Sequence, residues 1–175
     1  MIFLLENLFF PIRDFFEMGG GVLYGILAAT ILMWTLIVER LWFYYFILPG
    51  KLKATESAWN ARADTRSWYA RQIRSQMISE VGVECRKFLP IIKAVMAVLP
   101  LLGLLGTVTG MIAVFDVMAF AGTGNARLWA AGVSKATIPT MSGLVAALSG
   151  RYFAAMLERK SVRQVERLED ALAHH

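Results

Sequence analysis

The sequence predicts an all-α integral membrane protein with three transmembrane helices, N-terminus outside and C-terminus inside, and helical cytoplasmic extensions. Three observations lead there. Hydrophobic residues make up 57% of the 175 and mean hydropathy is +0.54, above the range of a soluble domain, which is about half apolar at most. Uncharged runs of membrane-spanning length recur between charged residues. Lysine and arginine are spread unevenly around those runs. A chain of this length has room for one compact domain or a few membrane helices, not both at full size.

The first segment, 1–17, reads MIFLLENLFFPIRDFFE, an amphipathic stretch expected on the outer membrane face and interrupted by Pro11. It has no Lys or Arg before Arg13, so it does not read as a secretory signal, which needs a positive n-region. Residues 18–38 follow, 21 without charge. At ~1.5 Å per residue they make roughly 32 Å of helix, enough for a hydrocarbon core of about 30 Å. This is the first span.

The cytoplasmic loop, 39–93, opens on the aromatic cluster Trp42, Phe43, Tyr44, Tyr45 and Phe46, which suits a membrane interface. From 51 to 89 the pattern is helical and charged. The second span is 94–115, 22 uncharged residues. A short outer connection, 116–135, carries GTGNAR, read as a turn.

The third span, 136–157, is less clean. Only 136–150 is uncharged, 15 residues, or about 22 Å, too short alone. Continuing to Leu157 brings in Arg151 near one end, where its long side chain reaches the interface. The tail, 158–175, places Val162, Val165, Leu168 and Leu172 at helical spacing. Orientation follows from the cations. Ten of the eighteen Lys and Arg lie in 40–93 and five from Arg151 onward, leaving Arg13, Arg127 and Lys135 outside.

Several functions are excluded as expectations. The net charge of +5 clusters beside apolar runs and forms no stripe for nucleic acid. Cys85 is the single cysteine, so neither an internal disulfide nor a thiolate metal cluster is expected. GLLGTVTG lacks GK[ST] and a preceding strand, and neither HExxH nor GxSxG occurs. The chain is therefore not expected to be an enzyme or to hold a cofactor or metal.

Small residues align instead. Gly103, Gly106, Gly110 and Ala113 share one face of span two, and Ala136, Thr140, Gly143, Ala147 and Gly150 one face of span three. Gly21, Gly25 and Ala29 repeat the theme more weakly on span one. Membrane helices associate through close backbone approach, so these are packing faces. Whether they pack within one chain or between subunits stays open. Thr107 and Thr140 lie on or beside them. Each fits either a bond back to its own helix or a polar path between helices. Pro100 and Pro139 free carbonyls inside their spans and are candidate helix breaks. None of the three uncharged runs holds an ionisable Asp, Glu, His, Lys or Arg, so a proton carrier would have to come from another subunit. Asp116 and Lys135 bracket the outer ends as a candidate pair.

Two stretches carry a resemblance. LPLLGLLGTVTGMIAVF, 99–115, resembles the second span of the MotA/TolQ/ExbB proton-channel family, and ATIPTMSGLVAALSG, 136–150, its third. The length and the expected topology agree, closest to compact ExbB proteins of TonB systems. The resemblance implies a multi-pass subunit of the bacterial inner membrane, assembled as a ring, a pentamer, in contact with lipid. It also implies an ExbD-like single-span partner supplying the membrane aspartate. Proton flow would then drive a TonB-like protein that opens outer-membrane transporters for iron chelates and similar cargo. It makes Thr107 and Thr140 pore-lining, and Gly103, Gly106, Gly110, Gly143 and Ala147 helix and subunit packing residues. Lys135 departs from the glutamate that several ExbB and TolQ proteins carry there. A TolQ-like envelope-maintenance subunit and a passive membrane scaffold are the alternatives.

Overall fold

A computed structural model describes the backbone of 2–121 and 126–172, and the side chains of 19–120 and 129–172. The described residues are helical throughout, apart from short turns. Helix α1 is Ile2–Trp42, followed by a π-helical turn at Phe43–Ile47, then α2 Leu48–Asn60, α3 Trp68–Arg86, α4 Leu89–Ala121 and α5 Ala126–Ala171. The turn expected over 122–127 lies largely outside the described residues.

Pro11 does not interrupt α1; the helix runs through to Gly20, where φ is 67° and ψ −170°. That backbone region is essentially reserved for glycine, so the break falls at the one residue type that adopts it without a steric penalty. Likewise Pro100 and Pro139 lie inside unbroken helices. Neither is a helix break, because packing holds the segments helical through the missing amide bond.

Two stretches, Gly19–Asn60 and Trp68–Phe120, are long and apolar enough to cross a membrane. Helix α5, which contains 136–157, does not form a third such stretch among the described residues. Lys135 and Arg151 bound its uncharged run.

The chain divides into two compact units, Met1–Met33 with Ala94–Ser149, and Trp34–Lys93 with Gly150–His175. In the first, Leu23, Ile26, Met33, Leu99, Ala136 and Pro139 are buried. In the second, the core is Ile37, Leu48, Trp59, Ile92, Leu157 and Leu168, among others, with Trp34 edge-on to Phe153 at 5.0 Å. The tail's buried stripe is Ala154, Leu157, Ser161, Leu168 and Leu172; Val162 is 41% exposed and lies off it.

Sequence sets the local features of this second unit. Ser67 caps α3 by accepting the Ala70 amide at 3.1 Å, while the Asp64 carboxylate accepts the amides of Arg66 and Ser67 in the preceding turn. Those amide and hydroxyl bonds, the Ser67 side chain first, hold the Asp64 carboxyl below its usual range. Arg40 is 3% exposed. It pairs with Glu39 at 2.6 Å and donates to the Glu84 carbonyl at 3.0 Å. Its guanidinium lies 4.7 and 5.0 Å from the Phe43 and Phe88 ring centroids. Phe88 itself has φ 65°, unusual for a bulky residue.

Candidate functional site

The site is built from the antiparallel pairing of α4 and α5 in the first unit. Along the pair, Leu99 meets Gly143, Gly103 meets Thr140, Gly106 meets Pro139, Gly110 meets Ala136 and Val114 meets Gly132. Each small residue on one helix admits the backbone or a bulky group of the other. A Cβ on Gly103 would stand 2.9 Å from Thr140 Cα and 3.0 Å from the Pro139 carbonyl oxygen. One on Gly143 would come within 2.6 Å of the Leu99 carbonyl oxygen, and one on Gly110 within 2.9 Å of Ala136 Cβ. At Gly106 and Gly132 it would overlap the Pro139 ring and the Val114 side chain.

These contacts assign Gly103, Gly106, Gly110 and Gly143 to packing inside one chain. Pro139 is the knob that fills the Gly106 notch. Ala147 is half-buried. Gly21 and Gly25 on α1 differ: nothing lies within 4 Å of where their Cβ would be.

The two threonines part company here. Thr107 donates to the Leu104 carbonyl at 2.7 Å, within its own helix. Thr140 instead donates across to the Gly103 carbonyl at 2.9 Å, tying α5 to α4. No hydrogen bond joins the two threonines among the described residues. Both donors are spent, and both oxygens keep lone pairs able to accept.

Beside the pair lies a largely apolar cavity of about 510 Å³. It is bounded by Gly19–Gly21 and Val22 of α1, by Gly106, Thr109 and Val114 of α4, and by Trp129, Lys135 and Pro139 of α5. Thr109 was not anticipated. It donates to the Leu105 and Gly106 carbonyls at 3.0 and 3.1 Å. Its position three residues after Gly106 and four before Ala113 marks the same helix face, a register signal available in the sequence. Lys135 lines this cavity and is exposed, as is Asp116. The described ion pairs do not include one between them. The expected outer-mouth pair is therefore not formed, and Asp116 is not part of the cavity wall. Among the described residues no cluster of His, Cys, Asp and Glu could hold a metal.

Residues 50–170, which include the whole α4–α5 pairing, match the MotA/TolQ/ExbB proton channel family. The chain belongs to that family. It is 32% identical to biopolymer transport protein ExbB-like 3 of Synechocystis sp., over 87% of each chain. It is 29% identical to ExbB-like 1 of the same organism, over 77% of this chain. That match covers 66% of ExbB-like 1, slightly under two thirds of its length. Family membership and the apolar stretches make this a membrane protein of proton-channel type, with relatives of ExbB type.

Proposed function

We propose that the chain is the channel subunit of a proton-driven motor of ExbB type, seated in the bacterial inner membrane and energising TonB-dependent outer-membrane transport. In this reading it crosses three times, at 18–38, 94–115 and 136–157, with the N-terminus outside. It assembles as a ring, a pentamer, around ExbD-like single-span partners, and a TonB-like protein receives the motion. It performs no covalent chemistry of its own.

The observation that carries the reading is a polar feature in a helix pair that lacks charge. Residues 94–115 and 136–150 contain no ionisable Asp, Glu, His, Lys or Arg, yet Thr107, Thr109 and Thr140 place hydroxyl oxygens along the pair. With their protons committed to carbonyls, those oxygens favour an incoming donor such as water or a protonated carboxyl. A carboxyl must then come from a partner, because an ionised one at mid-bilayer is costly and is kept there for function.

The test is co-expression with the single-span neighbour, followed by native mass measurement and proton flux in proteoliposomes. A ring of this chain enclosing fewer partner chains, conducting protons, supports the reading. A monomer or homodimer that does not retain the partner returns the small-residue faces to plain packing and favours a passive scaffold. The internal use of Gly103, Gly106 and Gly143 is the observation in favour of that alternative. Loss of envelope integrity with intact TonB-dependent uptake in a deletion strain would point to a TolQ-like role.

A further inference from the structure

Away from the α4–α5 pairing, the second unit carries an unmatched basic face. Arg159, Lys160, Arg163 and Arg167 follow i, i+1, i+4 and i+8 on α5, one side of the helix. Elsewhere in this unit three of the described cations find carboxylates. Arg40 pairs with Glu39, Lys51 with Glu84 and Lys93 with Glu158. None of the four on this face takes part in an ion pair among the described residues, although Glu166 and Asp170 are close in sequence.

The face is also concave. Two hollows of about 370 Å³ each share Lys160 and Arg163 in their walls. Tyr152, Met156 and Arg159 line one, and Tyr45, Pro49 and Arg167 the other. Lys160 is held between them. Its Nζ donates to the Tyr45 hydroxyl at 3.0 Å and lies 4.3 Å from that ring's centroid. A solvated charge run would have neither the hollows nor the fixed lysine.

We infer that this face binds the phosphodiester headgroup of an anionic phospholipid from the cytoplasmic leaflet. The inference rests on the proposed topology, which puts 159–167 within the first three turns beyond the cytoplasmic end of span three. Two features favour a lipid over a soluble phosphate. Tyr152 and Met156 make the end nearer the span apolar, fit for the glycerol and upper acyl chain. Trp42, Tyr45 and Phe46, 61%, 64% and 66% exposed, set an aromatic belt at the same level. Basic groups just inside a membrane helix attract anionic lipid by a recognised electrostatic mechanism, about fivefold in affinity per cation.

The experiment is native mass spectrometry of the full chain released from nanodiscs of equal phosphatidylglycerol and phosphatidylcholine. The wild type should retain phosphatidylglycerol preferentially. Arg163→Gln with Arg167→Gln should lower that enrichment about 25-fold and leave phosphatidylcholine unchanged. Lys53→Gln with Arg71→Gln, the same charge change elsewhere, should leave the enrichment intact. Helix content and assembly mass verify folding, and Arg167→Gln alone serves if the double variant misfolds. Equal retention of the two lipids, equal loss in the control pair, or displacement by millimolar inorganic phosphate would each overturn the inference. Proton flux with the partner is read separately. Flux without lipid enrichment strikes only this inference, and enrichment without flux strikes only the motor reading.

Discussion

Gly103→Ala and Gly25→Ala make a paired test of backbone contact between α4 and α5. Both positions are helical, so the intrinsic gain of replacing glycine by alanine, about 1 kcal/mol in water, is common to both and cancels in the difference. What remains is steric. At Gly25 the added methyl meets nothing within 4 Å; at Gly103 it stands 2.9 Å from Thr140 Cα and 3.0 Å from the Pro139 carbonyl oxygen. Those are backbone atoms, which cannot rotate aside as a flexible side chain would. Overpacking of this kind costs about 1–3 kcal/mol, and the rigid neighbours put the expectation in the upper half of that range. The two helices would have to separate by several tenths of an ångström, loosening the adjacent Gly106–Pro139 and Gly143–Leu99 contacts too.

The assay is reversible unfolding in mixed detergent micelles, following the midpoint of each variant against wild type. Gly25→Ala should match or exceed wild type. Gly103→Ala should fall below Gly25→Ala by about 2 kcal/mol, roughly thirtyfold in the folding equilibrium. Equal midpoints would refute the backbone contact. The same pair separates chain folding from assembly. If Gly21 and Gly25 face a neighbouring subunit, Gly25→Ala will weaken the ring while leaving the chain's own stability intact.

Ser67→Ala should destabilise the second unit by about 1 kcal/mol through loss of the Ala70 cap, read as faster amide exchange over the first turn of α3. Tyr44 is buried and donates to the Cys85 carbonyl at 2.8 Å, and burial raises its hydroxyl above the ordinary 10.0. The folded chain then holds this proton more tightly than the unfolded chain. The stabilising contribution is complete below pH 10 and is lost as pH rises through the folded value; Tyr44→Phe should flatten that alkaline decline in the unfolding midpoint. Lys135→Glu should leave assembly unchanged, since Lys135 is exposed and forms no ion pair with Asp116, and a large change in proton leak in proteoliposomes would place it in the conducting path.

Much of the α4–α5 pairing was legible because glycine at helical spacing leaves a mark that survives without coordinates. Gly103, Gly106, Gly110 and Gly143 read as a contact face, and the structure gives each a partner. Spacing does not identify whose helix fills a notch. Gly21 and Gly25 look the same in sequence yet border open space. Nor did proline read correctly. Pro11, Pro100 and Pro139 each lie within helical backbone, whereas the break fell at Gly20. The π-helical turn at Phe43–Ile47 and the positive φ of Phe88 had no local signal. Nothing in the intrinsic preference of these residues requires either conformation. They occur beside Arg40, which lies against Phe43 and, from more than forty positions away in the chain, against Phe88 and the Glu84 carbonyl.

Thr140 distinguishes a structural hydroxyl from a functional one, because its two possible contributions differ in size. As an interhelical bond in a membrane it contributes about 0.6 kcal/mol, and at most about 1.7. Removing it should therefore shift the unfolding equilibrium by only a few-fold, since the Gly103 carbonyl keeps its place in α4. Thr140→Val nearly preserves shape and removes both the donor and the accepting lone pairs, so the fold and the ring should persist. If the hydroxyl accepts a proton donor from a partner, transport should fall far more than stability does. Thr140→Ser restores the oxygen at the cost of a methyl group, and should restore transport with it. Parallel losses of transport and stability in Val, with no recovery in Ser, would make the hydroxyl a clasp between α4 and α5 and nothing more. The same comparison at Thr107, whose donor stays within α4, lacks the interhelical contribution altogether. Any transport defect in Thr107→Val that Ser rescues would then report the accepting oxygen alone.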